Sequence, residues 1–207
     1  MVVVVSFSSD SEPIKRGRPR SEEVERAILK AAAALLEERG FRAFTIGEVA
    51  LRAKVGKPSI YRRWPSKGTL ALDAFLSEYL QLLSPVNTGT LEGDLSASLT
   101  AWVQAVEGTP MGRSLVGLIA EAQSDRDLAM SWRERFVTTA RSQHRLTIER
   151  AIARGEIPSG SDVDVLMDLL YGPAYHRLLN GHLPFSEASV HEVVAVVVAG
   201  AKSGDAV

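Results

Sequence analysis

The chain has 207 residues, no cysteine and nearly balanced charge, with 24 Lys and Arg against 25 Asp and Glu. The lack of cysteine excludes a disulfide framework, a cysteine-based zinc site and a cysteine nucleophile. The longest apolar runs are too short to span a bilayer, and at the N-terminus the apolar run precedes the basic cluster, the reverse of a signal peptide. We therefore expect a cytoplasmic protein without a membrane partner.

The two halves of the chain carry opposite charge. Residues 14–67 hold 14 Lys and Arg against 6 Asp and Glu, whereas residues 84–207 hold 10 against 15. Such asymmetry indicates one lobe that faces nucleic acid and a separate acidic lobe.

Residues 1–20 are predicted to be a disordered basic arm, because Gly17 and Pro19 disfavour a helix among its cations. These cations are Lys15, Arg16, Arg18 and Arg20. The run over residues 16–19 resembles the core of an AT-hook, which lies in narrow A·T minor grooves. The alternative is an electrostatic tail that contacts only phosphates. A first helix should follow, capped by Ser21 and ended by Gly40.

Residues 45–67 predict two short helices, a tight turn and the start of a third helix. Thr45 and Glu48 have the spacing of a capping box, and Gly56 suits the turn. The second helix, about residues 57–64, should bury Ile60 and Trp64 while its other face presents Lys57, Ser59, Tyr61, Arg62 and Arg63. This arrangement is typical of a helix-turn-helix that places its second helix in the major groove. The alternative is a pair of surface helices with solvated charges.

This segment closely resembles the DNA-binding domain of TetR-family transcriptional regulators. The matching residues are Thr45, Ile46, Val49, Ala50, Ala53, Val55, Ile60, Tyr61, Trp64, Pro65, Ser66, Lys67 and Leu70. Two residues depart from the family pattern: Lys54 stands in the turn where glycine is usual, and Trp64 stands where phenylalanine is commoner. The resemblance implies a DNA-binding domain over residues 21–67 and a double-stranded DNA operator as partner. The expected DNA contacts are Arg16, Arg18, Arg20, Thr45, Lys54, Lys57, Pro58, Ser59, Tyr61, Arg62, Arg63 and Lys67.

Apolar periodicity predicts only helices in the rest of the chain, hence an all-α fold with an N-terminal three-helix domain and a C-terminal helical bundle. Residues 68–83 should form a connecting helix, and residues 84–207 a regulatory and dimerisation domain. Its predicted helices cover residues 91–106, 111–122, 128–157, 162–179 and 187–202. Ser161 and Ser186 are expected to cap the last two helices, with a break at Gly172 and Pro173.

The last two helices are apolar over more than one face, which indicates deep burial or a protein partner. Two such helices from each of two chains would form a four-helix bundle. We expect the homodimer interface to include Leu166, Leu170, Val190, Val194 and Val197. The stretch DLLYGPAYHRLL resembles the penultimate helix of one TetR subgroup, which supports the dimer. The alternative is a core within one chain.

A small-molecule pocket is a further candidate in this lobe. Its predicted lining is Trp102, Met111, Leu115, Leu118, Phe136, Tyr171 and Tyr175, with His176 or Arg177 as a polar contact. Aromatic residues at helical spacing also suit an ordinary core, but the TetR resemblance implies an effector bound here. No cofactor is expected.

Catalytic and metal chemistry are not predicted. His176 and His182 with Asp168 lack the short helical spacing of a metal site, and no serine lies in a nucleophile elbow. The favoured interpretation is a dimeric, ligand-responsive repressor of a palindromic operator, in which the resemblance implies that ligand tilts the connecting helix. The alternatives are an architectural binder of A·T-rich DNA without an effector and an enzyme that carries a helix-turn-helix.

Overall fold

The computed structural model describes residues 18–80 and 86–203, and within these ranges the chain forms helices and no strand. The all-α prediction is therefore confirmed. Among the described helices, none is both long and apolar enough to cross a membrane. The N-terminal lobe contains α1 to α4 and the C-terminal lobe contains α5 to α10.

Helix α1 (Arg18–Ala43) begins before the predicted cap at Ser21. The expectation of a non-helical arm is wrong for residues 18–20, because Pro19 falls in the first helical turn, where a missing N–H costs little. The earlier arm residues, Lys15 and Arg16, lie outside the described residues. Gly40 adopts φ 69° and kinks the helix, which continues for three more residues.

Helices α2 (Ile46–Ala53), α3 (Lys57–Tyr61) and α4 (Lys67–Tyr79) complete the N-terminal lobe. Helix α3 is shorter than predicted, and a turn holds the chain beyond it, with the Trp64 N–H donating to the Ile60 carbonyl at 2.9 Å. Ser66 and Thr69 form a reciprocal capping box that begins α4.

The C-terminal lobe consists of six α-helices in the described residues: α5 (Leu91–Val106), α6 (Pro110–Ala122), α7 (Arg126–Trp132), α8 (Thr138–Ala153), α9 (Val163–Asn180) and α10 (Glu187–Lys202). The helix predicted for residues 128–157 is found as an unbroken helical run over residues 126–153, so it ends four residues earlier than predicted. A π-helical turn over residues 133–137 separates α7 from α8. Such a turn accommodates one extra residue and changes the face that the next helix presents.

The ends of α9 and α10 test the predicted caps. Ser186 caps α10 as expected, accepting from the Ser189 N–H at 3.3 Å. Asp162, rather than Ser161, caps α9, because its carboxylate accepts the N–H groups of Asp164 and Val165 at 2.9 and 3.1 Å. The Ser161 hydroxyl instead donates to the Pro158 carbonyl at 2.8 Å.

Helix α9 runs without interruption through Pro173, so the predicted break is wrong. Proline inside a helix costs about 3 kcal/mol in isolation. Buried Leu170 and Ala174, on either side of the proline, anchor α9 in the core, and this packing offsets the cost.

Helices α1 and α4 pack against α6, so the two lobes share a contact surface. A side-chain carbon at Gly117 of α6 would lie only 2.6 Å from Cβ of Phe41 in α1, which leaves no room for one. Nearby, the Ser114 hydroxyl donates to the Leu36 carbonyl at 3.3 Å. The backbone of the C-terminal lobe thus lies directly on the N-terminal lobe.

Candidate nucleic-acid interface and aromatic cavity

The turn between α2 and α3 has the left-handed conformation that usually requires glycine. Lys54 adopts φ 55°, ψ 43°, and its N–H donates to the carbonyls of Ala50 and Leu51. The departure from the family pattern therefore preserves the turn, at the cost of placing a β-carbon in the left-handed region. The Lys54 side chain is exposed beside α3.

Helix α3 separates its apolar and polar residues cleanly. Ile60 is fully buried, and Trp64 in the following turn is nearly so. On the opposite side Lys57, Tyr61 and Arg62 are exposed, with 52% of Tyr61 accessible. Pro58 is exposed in the first turn. The outer face of α3 thus presents two cations and one phenol, and buried side chains on its other face hold the helix in place.

Arg63 differs from its neighbour Arg62. Its side chain is 19% exposed, its Nε lies 3.5 Å from the Glu25 carboxylate of α1, and its Nη1 donates to the Ser59 carbonyl at 3.4 Å. The prediction that Arg63 projects from the outer face is therefore wrong. Ser59 is half-buried on the same side. Sequence spacing alone does not separate two adjacent arginines, because the separation depends on where α1 places Glu25.

Two further predicted DNA contacts lie at helix N-termini. Thr45 is exposed and caps α2, accepting the Glu48 N–H at 3.2 Å and donating to the Glu48 carboxylate at 2.9 Å. Lys67 begins α4, where its ammonium lies 4.5 Å from the centre of the Phe41 ring and donates to the Arg42 carbonyl at 3.3 Å. Both side chains are thus positioned by the N-terminal lobe itself.

Asp73 of α4 links the two lobes, a role that sequence reasoning missed. Its Oδ2 accepts the indole N–H of Trp64 at 2.8 Å, and its Oδ1 accepts from the guanidinium of Arg135 in the π-helical turn. The Asp73 carboxylate therefore contacts both the turn that follows α3 and the C-terminal lobe. The available signal was Trp64 itself, since a buried indole usually needs an acceptor.

A half-open cavity of about 420 Å³ lies where α4 meets the C-terminal lobe. Its aromatic lining is Tyr79, Trp102, Trp132, Phe136, Tyr171 and Tyr175. The structure thus brings together four predicted residues from α5, the π-helical turn and α9. It adds Tyr79 from α4, so the connecting helix contributes one wall.

Three predicted pocket residues do not line this cavity. Leu115 and Leu118 are completely buried in the core on the inner face of α6. Met111 instead borders a separate groove of about 370 Å³ between α1, α4 and α6. The proposed polar contacts are also absent from this lining: Arg177 donates to the Pro184 carbonyl at 2.9 Å, and the His176 ring makes an edge contact with His182. The position of a residue along its helix predicted that its side chain is buried, but it did not predict which helices surround the cavity.

The polar groups around the cavity are uncharged or internally paired. Burial raises the pKa of Tyr79 to about 12 and raises the pKa of Tyr171 well above its usual range. Burial, with the nearby Arg141 charge, lowers the pKa of His144 to about 4. Arg141 donates to the Asp168 and Asp164 carboxylates at 2.7 and 2.9 Å. At neutral pH the tyrosines and His144 are therefore neutral.

The Tyr171 hydroxyl is an unusual polar group in the cavity wall. It is buried, and no hydrogen bond to it exists within the described residues. The ring of Tyr171 lies 4.8 Å from His144 and 5.8 Å from Trp102, centre to centre. An unpaired buried hydroxyl costs about 1–3 kcal/mol, so it marks a position where a ligand atom gains affinity.

The three residues considered for a metal site, Asp168, His176 and His182, do not lie together. Asp168 pairs with Arg141, whereas His176 and His182 lie together where α9 ends. Across residues 18–80 and 86–203, no three His, Asp or Glu residues come close enough to hold an ion.

The residues predicted for the dimer interface are buried within a single chain. Leu166, Leu170, Val190, Val194 and Val197 all belong to its own core, so this assignment is wrong and the alternative of an internal core holds for them. A different apolar set faces outward from α9 and α10, namely Val165 (51% exposed), Leu169 (55%) and Val196 (73%).

Comparison with known proteins agrees with this geometry. Residues 28–74 match the sequence profile of bacterial regulatory proteins of the tetR family, and residues 85–197 match a tetracyclin repressor-like C-terminal domain. The chain is 36% identical to the HTH-type transcriptional regulator YdeS of Bacillus subtilis (strain 168), covering 93% of this chain and 96% of that protein.

Two further relatives extend the match. The DNA-binding transcriptional repressor TetR of Mycobacteroides abscessus is 30% identical, over 87% of this chain and 93% of its own. The crystal structure of the TetR family transcription regulator SCO0332 superposes with a TM-score of 0.77 at 36% identity, covering 86% of this chain and 98% of that one.

Proposed function

The chain belongs to the TetR family of helix-turn-helix transcriptional regulators rather than to any enzyme class, and from that premise we propose that it is a ligand-responsive repressor that binds a palindromic operator as a homodimer. The observation that carries the DNA-binding part is the outer face of α3. There Lys57, Tyr61 and Arg62 project from a helix whose other side is fixed by Ile60 and Trp64. A short rigid helix with this face suits the major groove.

The arginine pair in α3 provides a matched test. We expect Arg62→Ala to weaken operator binding by about five- to a hundredfold, the range for removal of one base or phosphate contact. Arg63→Ala removes the same charge, but its side chain lies against Glu25, so it should weaken DNA binding much less and mainly lower stability. The operator is first selected from random duplex DNA and then titrated with each variant. Equal losses in the two variants would contradict the assignment of α3.

The outward apolar residues of α9 and α10 support a homodimer. Val165 and Leu169 are one helical turn apart on α9, and Val196 projects from α10, which packs beside it. Exposed aliphatic residues aligned on two adjacent helices suit a four-helix interface with a second copy. Such a dimer would present two α3 helices to two half-sites of one operator.

Two groups of contacts support coupling between ligand and DNA. Phe75 and Tyr79 of α4 pack on the Phe136 ring at 5.8 and 5.0 Å, so one wall of the cavity belongs to the connecting helix. Asp73 of the same helix contacts Trp64, just beyond α3. A ligand that moves α4 would therefore move α3, which fits release of the operator on ligand binding.

An architectural function on A·T-rich DNA is less well supported. Helix α1 begins at Arg18, so half of the AT-hook-like run over residues 16–19 is helical rather than extended. Footprinting separates the two functions: a repressor protects one palindromic site, whereas an architectural protein protects A·T-rich DNA broadly.

A further inference from the structure

The aromatic cavity differs from an ordinary core in having excess hydrogen-bond donors. Three tyrosine hydroxyls and the Trp102 indole contribute donors to one wall. Burial raises the pKa of Tyr79 and Tyr175, and the nearby Trp102 indole, whose ring centre lies 4.9 Å from that of Tyr175, partly offsets this effect. The hydroxyl of Tyr171 is left without a partner among the described residues.

The one charged acceptor among the described residues of the wall, the Asp168 carboxylate, is paired and largely exposed to solvent. The Asp168 carboxylate is bound by Arg141, which also holds Asp164. The neutral imidazole of His144 offers a single acceptor nitrogen. Since the Tyr171 O–H has no acceptor among the described residues, an acceptor on a bound molecule would complete the hydrogen bonding of this wall.

The remaining features of the cavity limit the charge and the shape of a ligand that could bind there. A charged ligand would lose its hydration among the aromatic rings, and Arg141 is already paired with two carboxylates, so the described wall offers no unpaired charge to compensate for that loss. Stacked rings such as Trp132 and Phe136, with centroids 4.2 Å apart, form flat walls. A volume of about 420 Å³ lies within the range of small-molecule sites.

We propose that the cavity binds an uncharged, planar aromatic molecule that carries a hydrogen-bond acceptor such as a carbonyl oxygen, and that the Tyr171 hydroxyl donates to this acceptor. The proposal rests on the ligand-responsive function proposed above and specifies its ligand class. Because neighbouring side chains cover the Tyr171 oxygen, the acceptor reaches it only by displacing an adjacent ring.

The test uses three probes with one skeleton: 9-fluorenone, which has a carbonyl acceptor, fluorene, which has none, and the anion fluorene-9-carboxylate. Binding to the full chain is measured by equilibrium dialysis up to the solubility limit of each probe. We expect Tyr171→Phe to weaken 9-fluorenone binding about tenfold, the effect of removing one hydrogen bond, and to leave fluorene binding unchanged. Fluorene-9-carboxylate should bind at least about a hundredfold more weakly than 9-fluorenone.

The control is Ser124→Ala, which removes an exposed hydroxyl outside the cavity lining and the DNA-binding face and should leave both affinities unchanged. The proposal is overturned if Tyr171→Phe affects both uncharged probes equally or neither, if the anion binds as tightly as 9-fluorenone, or if no probe binds. Operator titration of the same preparations reports the regulatory function separately. A chain that binds its operator but none of the probes loses only this ligand class, whereas failure to bind any operator refutes the proposed function itself.

Discussion

The two lobes use their aromatic residues in opposite ways. In the N-terminal lobe Trp64 and Phe44 fill the core completely, and the polar groups face outward from α3. In the C-terminal lobe the aromatic rings surround a void, and polar groups such as the Tyr171 hydroxyl face inward. A filled core fixes one geometry for reading DNA, whereas an open, donor-rich core can change when it is occupied. The difference supports the proposed function, in which the N-terminal lobe binds DNA and the C-terminal lobe responds to a ligand.

The largest expected effect comes from charging the outward face of the C-terminal lobe. Val165→Glu with Leu169→Glu should yield a folded monomer and lower operator affinity by about a hundredfold or more, because the two half-sites are then bound independently. Sedimentation and operator titration measure the two effects. Met130→Glu on α7, an equally exposed site, serves as the control and should remain dimeric. A double variant that is still a dimer would exclude this face.

The inward polar groups should make stability depend on pH. The pKa of His144 is lowered to about 4, against about 6.5 when unfolded, so between these values the unfolded chain binds one more proton. The free energy of unfolding should therefore fall as pH decreases from 6.5 toward 4, by up to about 1.4 kcal/mol per pH unit from this group.

Urea denaturation of wild type and His144→Gln at pH 7.5, 6, 5 and 4.5 isolates this contribution. The difference between the two proteins should change with pH, because the variant lacks the titrating imidazole. His191→Gln, at an exposed position, is the control and should parallel wild type. Parallel curves for His144→Gln would show that the imidazole is accessible to protons in the folded chain.

Substitutions in the basic arm test whether the N-terminal lobe contacts DNA through residues outside α3. Lys15→Ala with Arg16→Ala should make the salt dependence of operator binding shallower, by about 0.9 in the log–log slope for each phosphate that the arm no longer neutralises. Arg113→Ala with Arg126→Ala removes the same charge from the C-terminal lobe and should leave the slope unchanged. A greater loss at operators with A·T-rich flanks would indicate a minor-groove contact, and an unchanged slope would show that the arm does not contact DNA.

The smallest expected effect is the coupling between the lobes through Asp73. Trp64→Phe and Arg135→Met each remove one partner of this carboxylate. In a double-mutant cycle on the free energy of unfolding, their effects should be non-additive by about 0.5–1 kcal/mol. Trp64→Phe combined with Arg141→Met shares no partner and should be additive. Additivity in both cycles would mean that Asp73 does not transmit between the lobes.

The sequence correctly predicted those features of the fold that depend on residues close together in the chain. Helical periodicity separated Ile60 and Trp64 from Lys57 and Tyr61, and the start and end of α5 followed from its apolar spacing. These features depend on neighbours within a few residues, so a single sequence contains the needed information. The family resemblance in residues 45–67 has the same local origin, and the comparisons confirm it.

Predictions failed where distant helices decide the outcome. Arg63 turns inward because Glu25, 38 positions earlier, lies beside it. Leu115 and Trp102 are both apolar, yet only Trp102 borders the cavity, since that depends on how α5, α9 and the π-helical turn meet. The valines of α10 indicated burial correctly, but periodicity does not distinguish a cover supplied by the same chain from one supplied by a second copy.

The contact between Gly117 and Phe41 limits how the lobes can move. Because the Gly117 backbone lies against the β-carbon of Phe41 with no side chain between them, the lobes cannot approach further at this point. Any side chain at position 117 would push α6 away from α1 and so change the angle at which the two lobes pack.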